Sequence, residues 1–302
     1  MATDGLLVID KPAGPTSHDV VQRVRKALGT RRVGHGGTLD PDATGVLLVA
    51  AGRATRFLPY VAAGVKIYEG RIRLGFATDT YDASGRPASE DRASLPTAAE
   101  VAEAMKAFEG PILQTPPRFS AKKVRGRPGY ELARAGREFT LAPVAVTVAR
   151  FTARGYDPPH VAFEVECSAG TYVRSLAHDL GARLGCGAHL ADLRRTAVGA
   201  YRLAEAVPLA GLEEAAARGR AALHLIPLER LLPAAPRAIV LQGAEARVRD
   251  GSPLGPAHLE APFPAGPGAA AVVRVFDGSG RLLALARPSP DGSLLHPFLV
   301  VS

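Results

Sequence analysis

Tryptophan is absent from the 302 residues, cysteine and methionine occur twice each, and only six of the 37 basic residues are lysine. Cys167 and Cys186 show no CxxC spacing and no paired histidine nearby, which leaves neither a disulfide framework nor a zinc-ligand pattern. Both fit as small buried side chains. No apolar run approaches the roughly 18 to 20 residues that cross a bilayer, and MATDGLLVIDK lacks the basic start and apolar core of a signal peptide. The expectation is a soluble cytoplasmic protein without a membrane partner. No Gly-Lys-Ser/Thr follows a glycine loop, so a P-loop nucleotidase is excluded.

What is present is clustered. The net charge is +8 and the pI about 9.8, which points to a polyanionic partner only if the charge is gathered in places. It is: Val20 to Arg32 holds five basic residues and no acid, and Arg118 to Glu138 holds seven against Glu131 and Glu138. In the second cluster Phe119, Tyr130 and Phe139 alternate with cations, as suits RNA, whose phosphates and unstacked bases must both be held. Composition alone leaves an ordinary solvated insertion equally open.

GHGGTLDPDATG, 34 to 45, followed by VLLVAA, reads as a tight loop feeding a buried strand, since four glycines and an Asp-Pro step do not continue a helix. Asp40 is either a restrained carboxylate available for chemistry or the former of an Asx-turn ahead of Pro41. The loop by itself does not choose.

Around it, GLLVID (5 to 10) reads as a strand. Thr16 with Asp19 reads as a capping box opening a helix that Gly29 closes. SHD at 17 to 19 imitates a hydrolytic triad, but consecutive helix residues diverge, which rules it out. In KIYEGRIRLGF, Tyr68 shares the apolar parity of Ile72 and Leu74; most tyrosines so placed pack a core. Thr97 and Glu100 open another helix. Strands over 144 to 153 and 160 to 169 lead to a helix with Arg174 in its first turn, where a cation opposes the helix dipole and either has another partner or is simply exposed, the ordinary reading. A second short helix is predicted to carry Leu190, Leu193, Arg194 and Arg195. Beyond about residue 232, proline-rich linkers, a hairpin turning at Asp277 to Gly280 and a last strand suggest a small β-rich unit.

GLLVIDKPAGPTSHDVV, GHGGTLDPDATGVL, KIYEGRIRLGFATDTYDASG, QTPPRFSAKKVRGRPGYELAR and CSAGTYVRSLAHDLG together resemble the TruB-type tRNA pseudouridine synthases, in family order over most of the first 200 residues. The resemblance implies an α/β (α+β) fold: a catalytic domain over 1–232, with a mixed, mainly antiparallel sheet flanked by helices and an RNA-clasping insertion at about 114–142. A small C-terminal β-barrel-like PUA domain would follow over 233–302, touching the acceptor end of tRNA. It implies isomerisation of the T-loop uridine at position 55, with no cofactor, no metal and no obligatory protein partner. Asp40 then corresponds to the catalytic aspartate, Tyr68 to the aromatic that stacks on the flipped base, and Arg174 to the arginine that pairs with the aspartate and keeps it ionised. His35 would occupy space the base vacates, while Tyr172 and Leu193 line the pocket. Arg118, Lys122, Lys123, Arg125 and Arg127 would meet the RNA backbone, in a segment displaced without RNA and ordered with it. The alternatives are a guide-dependent relative working in an RNA-protein particle, and a tRNA-folding chaperone with a vestigial site.

Overall fold

A computed structural model describes residues 3–120, 122–124, 126–262 and 272–301. In chain order its main elements are β1 (Gly5–Lys11), α1 (Ser17–Leu28), β2 (Val33–Gly36), β3 (Thr44–Ala51), β4 (Lys66–Leu74), α2 (Ala98–Lys106), β5 (Gly110–Gln114), α3 (Gly129–Arg134), β6 (Val144–Asp157) and β7 (His160–Cys167). Then follow α4 (Val173–Leu184), β8 (Ala188–Val198), α5 (Leu209–Ala217), β9 (Arg237–Ile239), α6 (Glu245–Arg249), β10 (Val273–Phe276), β11 (Leu282–Pro288) and β12 (Leu295–Val300).

Among the described residues the first body is one ten-stranded mixed sheet, in which β1, β3, β8, β4, β7, β6 and β5 lie side by side in that order. Of these neighbouring pairs only β3 and β8 are parallel. β2 pairs with the far end of β3. The capping boxes Thr16/Asp19 and Thr97/Glu100 are both formed, and Gly29 ends α1 in the left-handed region, as the sequence pattern requires.

The runs LLVI and VLLVAA show no polar alternation because both faces of β1 and β3 are covered. Leu7, Ile9, Leu47 and Val49 face a core with α1, α2, α4 and α5. Leu6, Val8, Val46 and Leu48 face the other way, into a core with Phe57, Leu228, Phe276, Leu282, Leu285 and Leu299. The C-terminal sheet, ordered β9-β10-β11-β12, therefore packs on the back of the first. Farther along, β4 and β7 bury one face and leave Glu69 and Arg71 exposed, and there the alternation is regular.

Two expectations are corrected. Residues 188–198 form not a short helix but a strand at the middle of the sheet. Bulges between Leu190 and Asp192 and between Arg195 and Ala197 shift its register against β4. Each extra residue breaks the period of two and leaves apolar side chains three apart, which imitates a helix. Residues 34–36, expected in the loop, belong to β2, so His35 stands on a strand opposite Val49. Of the expected C-terminal features, the turn at Asp277 to Gly280 is present, closed by the Gly280 N–H on the Asp277 carbonyl at 3.0 Å. Residues 263–268 of the proline-rich stretch lie outside the described residues.

Candidate active site

The loop between β2 and β3 is shaped by its glycines. Gly37 and Gly45 hold φ of +78° and +97°, values that side chains with a Cβ rarely adopt. A Cβ on Gly45 would lie 2.2 Å from the Arg195 carbonyl oxygen. Between them Pro41 follows Asp40, and the Ala43 N–H donates to the Asp40 carbonyl at 3.1 Å. Asp40 thus closes the turn with its backbone, which leaves the carboxylate free. Asp42 is an exposed member of the turn.

Three buried polar side chains from three other elements fasten this loop. Ser17 Oγ accepts from the Leu39 N–H at 2.9 Å and donates to the Leu39 carbonyl at 3.0 Å. Lys11 Nζ donates to the carbonyls of Pro12, Pro41 and Ala43, each at 2.8 Å. Arg195 donates to the carbonyls of Val46 at 2.7 Å, Gly37 at 2.8 Å and Thr38 at 3.5 Å. Lys11 and Arg195 are both fully buried. Burial pushes the Lys11 ammonium down to about 8, against the pull of Asp42 and Asp40. Loop carbonyls that water would otherwise satisfy are held by fixed donors. Neither Lys11 nor Ser17 carries a sequence signal for this role, since a lysine ending a strand reads as solvated.

Arg174 reaches the loop from the start of α4. Tyr172, the N-cap, has no side-chain cap of its own. Gln114 supplies one from β5: its Oε1 accepts from the Tyr172 N–H at 2.8 Å and its Nε2 donates to the Tyr172 carbonyl at 3.0 Å. The buried Arg174 guanidinium grips Asp40 with two nitrogens, Nε to Oδ2 at 3.0 Å and Nη2 to Oδ1 at 3.2 Å. Its Nη1 meets Asp82 Oδ2 and the Thr80 carbonyl, both at 3.2 Å, and Nη2 also donates to the Phe119 carbonyl at 2.9 Å. This is the fork geometry that makes arginine, not lysine, fit a carboxylate. Asp82 escaped the sequence reading, although it sits in the quoted TDTYDASG; its Oδ1 is occupied by Thr80 and Ser84.

Asp40 keeps 46% of its side-chain surface at the mouth of the site. Enclosure pushes its carboxyl above the ordinary range; Arg174 and Lys11 pull down, Asp82 and Asp42 push up, and enclosure prevails. The arginine therefore moderates the upward shift without reversing it.

Tyr68 is buried on the face predicted, with the Arg195 guanidinium 5.9 Å from its ring centre. Burial pushes its phenol up, the nearby Asp40 charge adding to this. His35 is half-buried, its Nδ1 lacks a partner, and burial lowers its pKa, which favours the neutral ring. Leu193 lies on β8 opposite Gly70. Of the expected RNA contacts, Arg118 donates to the Arg137 carbonyl at 3.0 Å and stacks on Phe139. Arg127 pairs with Glu131 at 3.9 Å, and Lys122 is exposed. Arg125 and the Lys123 side chain lie outside the described residues. In the first basic cluster, Arg23 is taken by Glu213.

A chain in the solved structure of an H/ACA RNP bound to a substrate RNA containing 2'-deoxyuridine has this fold, with a TM-score of 0.76 at 26% identity over 99% of this chain and 86% of that one. Family models define the class as pseudouridylate synthase: residues 25–173 match the N-terminal domain of TruB family pseudouridylate synthase, and 174–233 match the tRNA pseudouridylate synthase B C-terminal domain. A tRNA pseudouridine synthase B from Solibacter usitatus is 44% identical over 99% of this chain and 100% of its own length. A protein of the same name from Thermobifida fusca is 47% identical over 94% of each chain. The chain belongs to the TruB family. The seam between the two matched segments falls between Tyr172–Val173 and Arg174, so Asp40 and its arginine come from different segments.

Proposed function

We propose that this protein isomerises uridine to pseudouridine in tRNA, at position 55 of the T loop, without a cofactor. The observation that carries the reading is the two-nitrogen grip of Arg174 on a half-exposed Asp40 beside the buried Tyr68. In the reaction the bond from uracil N1 to the ribose breaks, the base turns, and C5 bonds to the same ribose carbon; the C5 proton leaves and N1 gains one. Asp40 is the side chain on which the bond breaks. Arg174, positioned by Asp82 and Gln114, fixes the carboxylate.

A base inside a folded loop must be extruded, at a cost on the order of a few kcal/mol, and the pocket offsets that cost by stacking. Tyr68 supplies the stack, Tyr172 and Leu193 line the pocket, and the neutral His35 fills space that the base vacates. Arg118, Lys122, Lys123, Arg125 and Arg127 track the RNA backbone as the 114–142 segment closes on the T-arm, and the unit over 233–302 reaches the acceptor end. The site works in the cytoplasm.

Tritium release from 5-labelled uridine in a T-arm hairpin tests this. The purified protein should release label, and Asp40→Asn should bind without releasing it; release by that variant overturns the assignment. The whole-chain likeness to the RNP-borne chain favours a second reading, dependence on a guide. The higher identity to proteins named tRNA pseudouridine synthase B weighs against it, and turnover of the bare hairpin excludes it.

A further inference from the structure

Lys66 plays no part in the chemistry above. It opens β4 on the same face as Tyr68, is 8% exposed, and forms neither a hydrogen bond nor an ion pair among the described residues. An enclosed ammonium without a protein acceptor is costly unless water or an anion reaches it, so its surroundings matter. The charged and titratable groups that act on it are Arg195, from β8, and Cys167, its cross-strand neighbour on β7. The first is a cation. The second is a thiol that burial pushes up to about 11, hence uncharged. No counter-ion comes from the described residues.

The amine points instead at the Asp40 loop. A methyl group on Gly37 would lie 3.2 Å from Lys66 Nζ and 3.5 Å from Arg195 Nη1, so two cations converge on the one loop position whose bare Cα leaves room beside them. That Arg195 nitrogen has only a 3.5 Å contact to the Thr38 carbonyl, at the outer limit of a hydrogen bond. Tyr68, two residues along the strand, is the proposed stacking platform. A nucleotide stacked there brings its own phosphates within a nucleotide's length of Gly37, and a lysine binds phosphate as a compact point charge.

We propose that Lys66, backed by Arg195, seats a backbone phosphate of the RNA beside the flipped uridine, at the Gly37 end of the Asp40 loop. The inference rests on the RNA-modifying reading and makes Lys66 a positioning residue. Burial lowers its pKa to about 8, which leaves it mostly protonated at neutral pH, when the phosphate arrives.

Binding of a T-arm hairpin to the full chain, followed across a salt series, tests the proposal. For Lys66→Met, with its fold verified by thermal melting, the slope of log K against log salt should become shallower by about 0.7 to 0.9, the share of one phosphate. Lys66→Arg should restore it. Replacing phosphates near the target uridine one at a time by neutral methylphosphonate should weaken binding of wild type at one position, and that position should have no effect in the fold-verified Lys66→Met. Equal slopes for wild type and Lys66→Met, or methylphosphonate effects identical in both, overturn the proposal. Because these are binding measurements, they are separate from tritium release, whose absence in wild type would sink the proposed reaction instead.

Discussion

The Asp40 loop and the 114–139 segment meet at Arg174, which hydrogen-bonds both Asp40 and the Phe119 carbonyl, yet they are built in opposite ways. The loop is fixed by buried polar groups from β1, α1 and β8, each spent on its backbone. The described cations of the segment, Arg118, Lys122, Arg127 and Arg137, sit at the surface, and Arg127 meets its acid at 3.9 Å with both side chains exposed. Fixed donors around a reacting group cost no reorganisation when charge moves. Exposed cations can rearrange to follow a phosphate backbone. One region is made for chemistry and the other for grip, and mutations should separate the two.

The largest effect is expected at the joint. Arg174→Lys keeps the charge but loses the fork that holds Asp40, Asp82 and Phe119 together, so the single-turnover rate should fall by about 10² or more. A rate within a few-fold of wild type would show that the grip is dispensable. Next comes pH. The raised Asp40 pKa places the acid limb of the rate profile above the ordinary carboxylate value, the rate falling about tenfold per pH unit below its midpoint. The sign for stability is the reverse of the usual carboxylate case. Because native Asp40 holds its proton more tightly than the unfolded chain does, the native state loses stability as pH rises from the ordinary value through the raised one. Asp40→Asn should therefore melt at or above the wild-type temperature at neutral pH, and a lower melting point would contradict the shift.

Smaller still is Lys11→Met, which strands the Ala43 and Pro12 carbonyls, while Pro41 keeps the Gly14 N–H. It should cost about 1–3 kcal/mol in denaturant unfolding. Ser17 and Arg195 still fasten the loop, so kcat should change by less than about tenfold; a collapse of kcat with stability intact would put Lys11 in the chemistry. Arg127→Ala should leave stability within about 0.5 kcal/mol and make the salt slope of RNA binding shallower by about 0.7 to 0.9. If it moved the single-turnover rate at saturating RNA instead, the division between grip and chemistry would fail.

Local chemistry made much of this legible. Capping boxes, the Gly29 stop and the parity of Tyr68 each depend on a few adjacent residues, and each appears where the pattern put it. What could not be read depends on partners distant in the chain. Leu190 and Leu193 suggested a helix because bulges in β8 answer to β4, some 120 residues away. Lys11 looked like a solvated end of a strand because its three acceptors belong partly to a loop 30 residues on. Lys66 shares the apolar parity of Tyr68, a cation on the buried side of a strand, and that signal lies in the local pattern of β4.

The core shared between β1, β3 and the C-terminal sheet also has a consequence in time. On the ribosome, Leu6, Val8, Val46 and Leu48 are made more than 200 residues before Phe276, Leu282, Leu285 and Leu299, the side chains that cover them. At about 5–20 residues per second, that back face waits ten seconds or more for its cover. Translation order thus makes the nascent chain a client for chaperones, and a ribosome stalled past α5 would hold up an almost complete sheet with one oily side open to its neighbours.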